Sequence, residues 1–424
     1  MKTKLAALLS LVLAISACAP AVMPGGDIAI ARADVPRASA DPAAASDAGA
    51  ALSAFGLDLY RALAADAPNA VLSPTSIALA LAMARAGARG QTAAEMDAVM
   101  RAVGSDENAA WLNALDQALA TRSGTFEDAS GAGLPVALRI ANAPFAQKEM
   151  PLEPAYLEAL ASRFGAGLRL VDYVAETEAA RQLINGWVDG QTERRIPELL
   201  AQGVLNRDTR LTLVNAIYLK APWLRPFPAE STTPGAFTRA DGSTVEVSMM
   251  SVTAGMRHAA GTGWTAVEIP YIGGSLAMTA IVPDDLATFE RALTADQLAA
   301  ITAGLAETQV SLTFPKFSIE TKIELADLLA ALGMPTAFTD EADFSGITKA
   351  ARLVISNVIH QANIDVDEKG TEAAAATAVV MEVTSAPAEP LTVQVDRPFL
   401  FALRDVPTGA ILFLGRVGDP SITR

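Results

Sequence analysis

The order of apolar and polar positions changes along the chain. Helix-like spacing of apolar residues is concentrated in the first half, and β-rich runs are concentrated in the second. The helical spacing predicts helices over residues 73–86, 92–103, 106–120, 152–163, 177–190, 287–304 and 321–332. The β-rich runs predict strands at Leu211–Leu219, Val245–Met250, Thr265–Ile269, Leu276–Val282, Gln309–Phe314, Leu353–Val366, Leu391–Val395, Phe399–Leu403 and Ile411–Val417. Without strict alternation of the two, this order predicts an α+β fold with large sheets.

Two of the helices carry sequence signals at their starts. Pro74 suits the first turn of the helix that begins after Ser73, and Gly87 is a suitable stop. Thr92 and Glu95 have the spacing of a capping box, which predicts that the next helix begins at Thr92.

Composition and charge exclude several classes of function. The 424 residues are 51% hydrophobic, enough for a large core, and the net charge of −15 disfavours nucleic-acid binding. One cysteine excludes an intrachain disulfide, and two histidines leave little for a metal site. No hydrolase, metalloprotease, P-loop or dinucleotide-binding motif is present. We therefore expect neither an enzyme nor a cofactor.

The first residues look like an export signal. Two lysines precede an apolar run from Leu5 to Ile15 that is too short to span a bilayer. The following Ser-Ala-Cys resembles a bacterial lipoprotein signal, which predicts a signal peptide over residues 1–17 and a lipid anchor on Cys18. Ordinary cleavage after Ala19 is the alternative. We expect an exported protein, in the cell envelope or outside the cell.

The composition of the next segment predicts a flexible tether. Residues 18–48 are mostly Ala, Pro, Gly, Ser and Asp and lack sustained apolar periodicity. The folded domain is therefore predicted to span residues 49–424.

Short sequence blocks are spread over about 350 residues: NAVLSPTSI (69–77), VNAIYLK (214–220), FPKF (314–317), ADFSGI (342–347), DEKGTEAA (367–374), RPFLF (397–401) and FLGR (413–416). In this order they resemble the serpin family of protease inhibitors. The resemblance implies three β-sheets, about nine helices and an exposed reactive-centre loop at about residues 368–397. It also implies inhibition by loop cleavage, after which the loop inserts as a strand and the acylated protease is trapped.

The residues that follow Lys369 have the alternation of side chains expected of an inserted β-strand. Gly370 offers hinge freedom, although propensity alone predicts a helix for the alanine-rich run that follows. With a period of two, one face is small or apolar: Thr371, Ala373, Ala375, Thr377, Val379, Met381 and Val383. The other face carries both charges: Glu372, Ala374, Ala376, Ala378, Val380 and Glu382. This pattern favours insertion and hence an inhibitor.

The family's usual spacing from Glu368 places the scissile bond at Thr384–Ser385, within a window from Met381 to Ala386. No Lys, Arg or aromatic residue lies between Lys369 and Arg397. Trypsin-like proteases require a basic anchor and chymotrypsin-like proteases an aromatic or large apolar one. We therefore expect elastase-like or subtilisin-like targets. A loop cleaved merely as a substrate and inhibition of papain-like cysteine proteases remain the alternatives.

The resemblance also assigns roles outside the loop. It implies a polar cluster beneath the opening of the main sheet, formed by Ser73, Ser76, Asn215 and His360. It implies an ion pair of Lys316 with Glu368 near Trp223, which would hold the hinge out until cleavage.

Two further expectations concern partners and the second histidine. Arg101 and Arg122 flank a helix that is not basic, so we do not expect heparin to bind. His258 matches no motif and is expected at the surface. We expect a monomer.

Overall fold

The computed structural model describes residues 28–64, 67–102, 104–372 and 389–423. Within these ranges it contains nine α-helices: α1 (Pro42–Ala64), α2 (Pro74–Arg85), α3 (Gly90–Val99), α4 (Ser105–Ala120), α5 (Pro154–Phe164), α6 (Thr177–Gln191), α7 (Leu286–Ala292), α8 (Ala295–Ala303) and α9 (Ala326–Leu332).

The same ranges contain strands β1 (Ala29–Ala31), β2 (Asn69–Leu72), β3 (Gly124–Glu127), β4 (Gly133–Gln147), β5 (Leu168–Val171), β6 (Leu211–Pro222), β7 (Thr233–Thr238), β8 (Thr244–Gly261), β9 (Trp264–Pro270), β10 (Leu276–Pro283), β11 (Ala306–Pro315), β12 (Phe317–Glu324), β13 (Asn357–Asp367), β14 (Gly370–Thr371), β15 (Leu391–Gln394), β16 (Phe399–Asp405) and β17 (Ile411–Val417). The predicted α+β fold is confirmed.

The strands form two sheets in the described part of the chain. The main sheet has eight strands in the order β1-β5-β4-β6-β14-β13-β12, with β3 paired to β4. The second sheet has nine strands in the order β15-β11-β8-β9-β10-β16-β17-β2, with β7 paired to β8. The family resemblance implies three sheets, whereas the described strands form two. The second sheet is continuous because its 18-residue strand β8 pairs with β7, β11 and β9 along its length.

Helix α2 forms the centre of the core. All its residues from Pro74 to Ala84 are buried, and it packs against β4 and β6 of the main sheet and β17 of the second sheet. Apart from Thr75 and Ser76 in the first turn, these buried residues are apolar, as expected of a helix in such a position. Its start agrees with the sequence prediction, because the Ser73 side chain accepts a hydrogen bond from the backbone N–H of Ser76.

The predicted capping box at Thr92 is wrong. Helix α3 begins at Gly90, and its N-cap Arg89 makes no side-chain cap. The Thr92 hydroxyl instead accepts from the backbone N–H of Asp343, and the Glu95 carboxylate accepts from the backbone and hydroxyl of Thr336. Both side chains therefore serve tertiary contacts.

Two other helix predictions require revision. Residues 321–324 belong to β12 and only Ala326–Leu332 is helical, because the alternating burial of 317–324 has the period of a strand. The stretch 287–304 contains two helices, since Asp285 caps α7 and Thr294 caps α8.

The predicted tether is wrong over residues 28–48. Strand β1 pairs antiparallel with β5 at the edge of the main sheet, and α1 already begins at Pro42. Ala45 and Ala48 of α1 are 1% and 2% exposed. Alanine is often fully buried in folded proteins, so an alanine-rich composition alone does not indicate a flexible segment. The folded domain therefore includes residues before Gly49. Residues 1–27, including Cys18, lie outside the described residues.

No helix in the described part of the chain is long and apolar enough to cross a membrane.

Candidate functional site

The hinge of the predicted loop lies in the main sheet. Gly370 and Thr371 form β14, which is hydrogen-bonded on one side to Ala221 and Pro222 of β6 and on the other to β13. Gly370 has a φ of 153°, and a Cβ there would lie 2.2 Å from the Ala221 carbonyl oxygen. Only glycine fits this close approach.

Beyond the hinge, the main sheet is closed. Strands β6 and β13 pair directly in parallel, with Thr212–Ile217 opposite Asn357–Ala362. A strand that continued from Thr371 would have to separate these two strands and bond to both of them.

The side chain of Thr371 is anchored beneath the hinge. Thr371 is 1% exposed, and its hydroxyl lies 2.6 Å from the hydroxyl of Tyr271. The Tyr271 ring stacks on Trp223 with their centroids 4.3 Å apart. Burial raises the pKa of Tyr271 well above its usual value, so the phenol stays neutral.

Lys316, Glu368 and Trp223 lie together at the hinge. The Lys316 ammonium lies 2.9 Å from the nearer Glu368 carboxylate oxygen, and the Thr232 hydroxyl also donates to that carboxylate. Burial raises the pKa of Glu368, but the hydrogen bonds from Lys316 and the other donors together have the larger effect. The net result is a lowered pKa for the Glu368 carboxyl. The indole N–H of Trp223 donates to the Asp367 carbonyl at 3.0 Å.

Ser73, Ser76, Asn215 and His360 also lie together. His360 and Asn215 are opposite each other in the closed β6–β13 pair. His360 accepts a hydrogen bond at Nε2 from the backbone N–H of Ser73 at 3.1 Å, which leaves Nδ1 to donate to the Asn215 side-chain oxygen. Asn215 in turn donates to the Ser76 hydroxyl at 2.7 Å. Full burial lowers the pKa of His360 to about 3, so the imidazole is neutral.

One member of this polar cluster was missed by sequence reasoning. Asn142 on β4 accepts from the Asn215 amide at 2.6 Å and from the Ser76 hydroxyl at 3.0 Å. It lies opposite Asn215 in the β4–β6 pair. No sequence signal marked it, because β4 was not predicted as a strand.

The sequence pattern places Glu372 on the charged face of the loop strand, where a side chain exposed to solvent is expected, but the structure buries it. Its carboxylate is only 3% exposed and forms an ion pair with Arg195 at 3.1 Å. Arg195, in the segment after α6, was also missed from the sequence.

The remaining loop predictions lie outside the described residues. These are Ala373, Ala374, Ala375 and Ala376 of the hinge, and the window from Met381 to Ala386 with Thr384 and Ser385.

Arg101, Arg122 and His258 have structural partners. Arg101 pairs with Asp58, and Arg122 pairs with the fully buried Asp405. His258 lies on β8 and is half-buried, with Nε2 2.8 Å from the Thr265 hydroxyl. Burial lowers its pKa. The described residues contain no group of His, Cys, Asp and Glu that could hold a metal.

Comparison with known proteins identifies the family. The family model described as "Serpin (serine protease inhibitor)" matches residues 50–420. The leukocyte elastase inhibitor of Bos taurus is 36% identical over 386 residues, which are 88% of this chain and 99% of that protein. An uncharacterised serpin-like protein of Thermococcus kodakarensis is 37% identical over 376 residues, covering 87% of this chain and 85% of the relative.

A solved structure of similar fold is the native state of the thermophilic serpin tengpin. Its TM-score is 0.78 at 26% identity, and the match covers 92% of this chain and 97% of that one. The chain belongs to the serpin family, which the matching model describes as serine protease inhibitors.

Proposed function

We propose that the protein is a suicide-substrate inhibitor of elastase-like or subtilisin-like serine proteases. The observation that carries this proposal is the position of the hinge. Gly370 and Thr371 already occupy the space between β6 and β13. The residues of the predicted loop follow them in the sequence.

The proposed reaction begins at the scissile bond, which we place at Thr384–Ser385. The protease serine attacks the Thr384 carbonyl, its proton passes to the leaving amine of Ser385, and an ester joins Thr384 to the protease. Hydrolysis of that ester would release an active protease. Inhibition therefore requires insertion of the loop to be faster than attack by water.

Insertion as a strand offers a large gain in hydrogen bonds. The segment after Thr371 would replace the β6–β13 pair with two new ladders, one to each strand. Its inner face consists of small and apolar side chains, which continues the buried face of Thr371. The polar cluster of Ser73, Asn215 and His360 lies where β6 and β13 must separate, and we assign it the role of gating that separation.

The target class follows from the anchors that the loop provides. Val383, Thr384 and Ala386 fit the small specificity pocket of elastase-like and subtilisin-like proteases. The bovine relative is named an elastase inhibitor, which supports the same class. We further propose a lipid anchor at Cys18 that holds the protein on a membrane as an exported, monomeric lipoprotein.

The test is a denaturing gel of the purified protein after incubation with pancreatic-type elastase or subtilisin. We expect a complex that survives denaturation, and a released carboxy-terminal peptide whose mass corresponds to Ser385–Arg424. The matched variant Thr384→Arg should gain covalent complex with trypsin. Cleavage without complex by every serine protease would indicate the substrate-type alternative, and complex only with papain would indicate the cysteine-protease alternative.

A further inference from the structure

The chain makes an unusual turn immediately after α6. Glu193 and Arg194 have φ values of 50° and 67°, both in the left-handed region. Among the described residues, five that are not glycine have positive φ. Two of them are Glu193 and Arg194 of this turn, and a third is Glu372, which pairs with the next residue of the turn, Arg195. Such conformations are unfavourable for L-residues and persist only where surrounding contacts hold them.

The turn delivers Arg195 onto the main sheet beside the hinge. The Arg195 carbonyl accepts a hydrogen bond from the Asn363 side chain on β13 at 3.3 Å. Its guanidinium lies between two carboxylates, with Nη1 3.3 Å from Asp365 of β13 and Nε 3.1 Å from Glu372 of the hinge. Arg195 therefore joins the segment after α6, the sheet and the loop.

Glu372 is the residue at which the hinge leaves the strand conformation. Thr371 is the last residue of β14, and the Glu372 backbone N–H still donates to the Asp365 carbonyl at 3.1 Å. With a φ of 50°, however, Glu372 cannot extend the strand. For the loop to insert further, Glu372 must change to an extended conformation and its carboxylate must leave its present position beside Arg195.

We propose that Arg195 is a positioning residue that holds Glu372 in this bent conformation and thereby slows insertion of the loop. The proposal rests on the proposed inhibitory function, since it concerns the rate of the same insertion step. Through this contact Arg195 keeps the hinge bent until the loop is cleaved.

The charges around the pair explain why the arginine is required. Asp365 accepts from the Ser318 hydroxyl, and Glu193 accepts from Arg139 and from the Tyr218 hydroxyl. Burial raises the pKa of Tyr218, and the negative charges of Glu372 and Glu193 add to this effect. The Arg195 guanidinium pairs with both Glu372 and Asp365. Its removal would leave two negative charges close together, one of them nearly buried, and this repulsion would disfavour the bent hinge.

The test measures the insertion rate without relying on a serine protease. The loop of the full chain is cut with saturating thermolysin, a metalloprotease that forms no acyl-enzyme. Insertion is then followed by stopped-flow tryptophan fluorescence, to which Trp223 contributes from beneath the hinge. Arg195→Gln and Glu372→Gln should each insert about tenfold faster than the unmodified protein, the size expected for a coupled ion pair. The double variant should be no faster than either single variant.

Matched variants make the result specific to this pair. Arg195→Lys should restore slow insertion, and Arg139→Gln, which removes a 2.7 Å ion pair to Glu193 in the same turn, should leave the rate unchanged. Near-ultraviolet circular dichroism before cleavage checks that each variant is folded.

Two outcomes would overturn different claims. If the unmodified protein inserts and Arg195→Gln inserts at the same rate or more slowly, the role of Arg195 is refuted while the inhibitory mechanism stands. If the cut unmodified protein shows no insertion, the inhibitory mechanism itself is refuted, and the role of Arg195 with it.

Discussion

The hydroxyl of Tyr271 contacts the hydroxyl of Thr371 at 2.6 Å in a fully buried position at the start of the loop. This contact fixes the last strand residue of the hinge to the turn that follows β9. We predict that Tyr271→Phe lowers the free energy of unfolding by about 1–2 kcal/mol, because it leaves the buried Thr371 hydroxyl without its partner. Urea unfolding of the uncleaved protein measures this loss.

A second variant shows whether the loss belongs to the pair. Thr371→Val together with Tyr271→Phe removes both hydroxyl groups and should be less destabilising than the sum of the single changes. Additive losses would contradict a direct hydrogen bond.

His360 predicts a dependence of stability on acid. Its pKa in the folded protein is about 3, below the ordinary value for histidine, so the unfolded chain binds the proton more tightly. The contribution of the neutral imidazole is complete above pH ~6.5 and is lost as pH falls towards 3, with a slope of about 1.4 kcal/mol per pH unit.

The matched control for this effect is His360→Gln, which removes the titrating group at the same site. Urea midpoints measured from pH 7 to pH 4 should fall more steeply for the unmodified protein than for this variant. Parallel curves would show that His360 is not neutral in the folded state.

The amino-terminal residues contribute to folding. Removing everything before Gly49 would delete β1, the first two turns of α1 and the contacts of Arg37 with Asn113 and Asp116. We predict a loss of about 2–4 kcal/mol from the lost burial and hydrogen bonds. The control is a chain that begins at Ile28, which retains all of these contacts and should have the same urea midpoint as the full protein. Equal urea midpoints for the chain that begins at Ile28 and the chain that begins at Gly49 would contradict the prediction.

The inner face of the loop predicts a separation of inhibitor from substrate behaviour. In a strand that continues from the buried Thr371, Ala373 lies on the same face. Ala373→Arg should convert the inhibitor into a substrate, because burying an unpaired charge costs several kcal/mol. Ala374→Arg, on the other face, should retain far more covalent complex. Equal complex formation by both variants on denaturing gels would refute the assignment of faces.

Local sequence signals predicted some elements and not others. The start of α2 at Pro74 and the full extent of Ile411–Val417 were predicted because caps, proline and β-rich runs act over a few residues. The composition of residues 28–48 suggests a tether because it does not show the distant partners of this segment, namely β5, which pairs with β1, and the core that buries Ala45 and Ala48. Thr92 and Glu95 likewise bond to residues far along the chain instead of capping their own helix.

The candidate site divides in the same way. The positions of Gly370, Lys316 and Asn215 could be inferred from family motifs, since each lies within one of the sequence blocks that resemble the family. Arg195 and Asn142 could not, because Arg195 depends on a left-handed turn after α6 and Asn142 on an unpredicted strand. Their partners Glu372 and Asn215 are brought close only by the folded sheet.

The central claim is that the cleaved loop becomes a strand between β6 and β13. The most direct measurement is the thermal unfolding midpoint of the protein before and after a single cut within the loop, followed by circular dichroism. Insertion predicts a marked rise in the midpoint, because the added strand bonds to both neighbours. An unchanged or lower midpoint after complete cleavage would contradict the account.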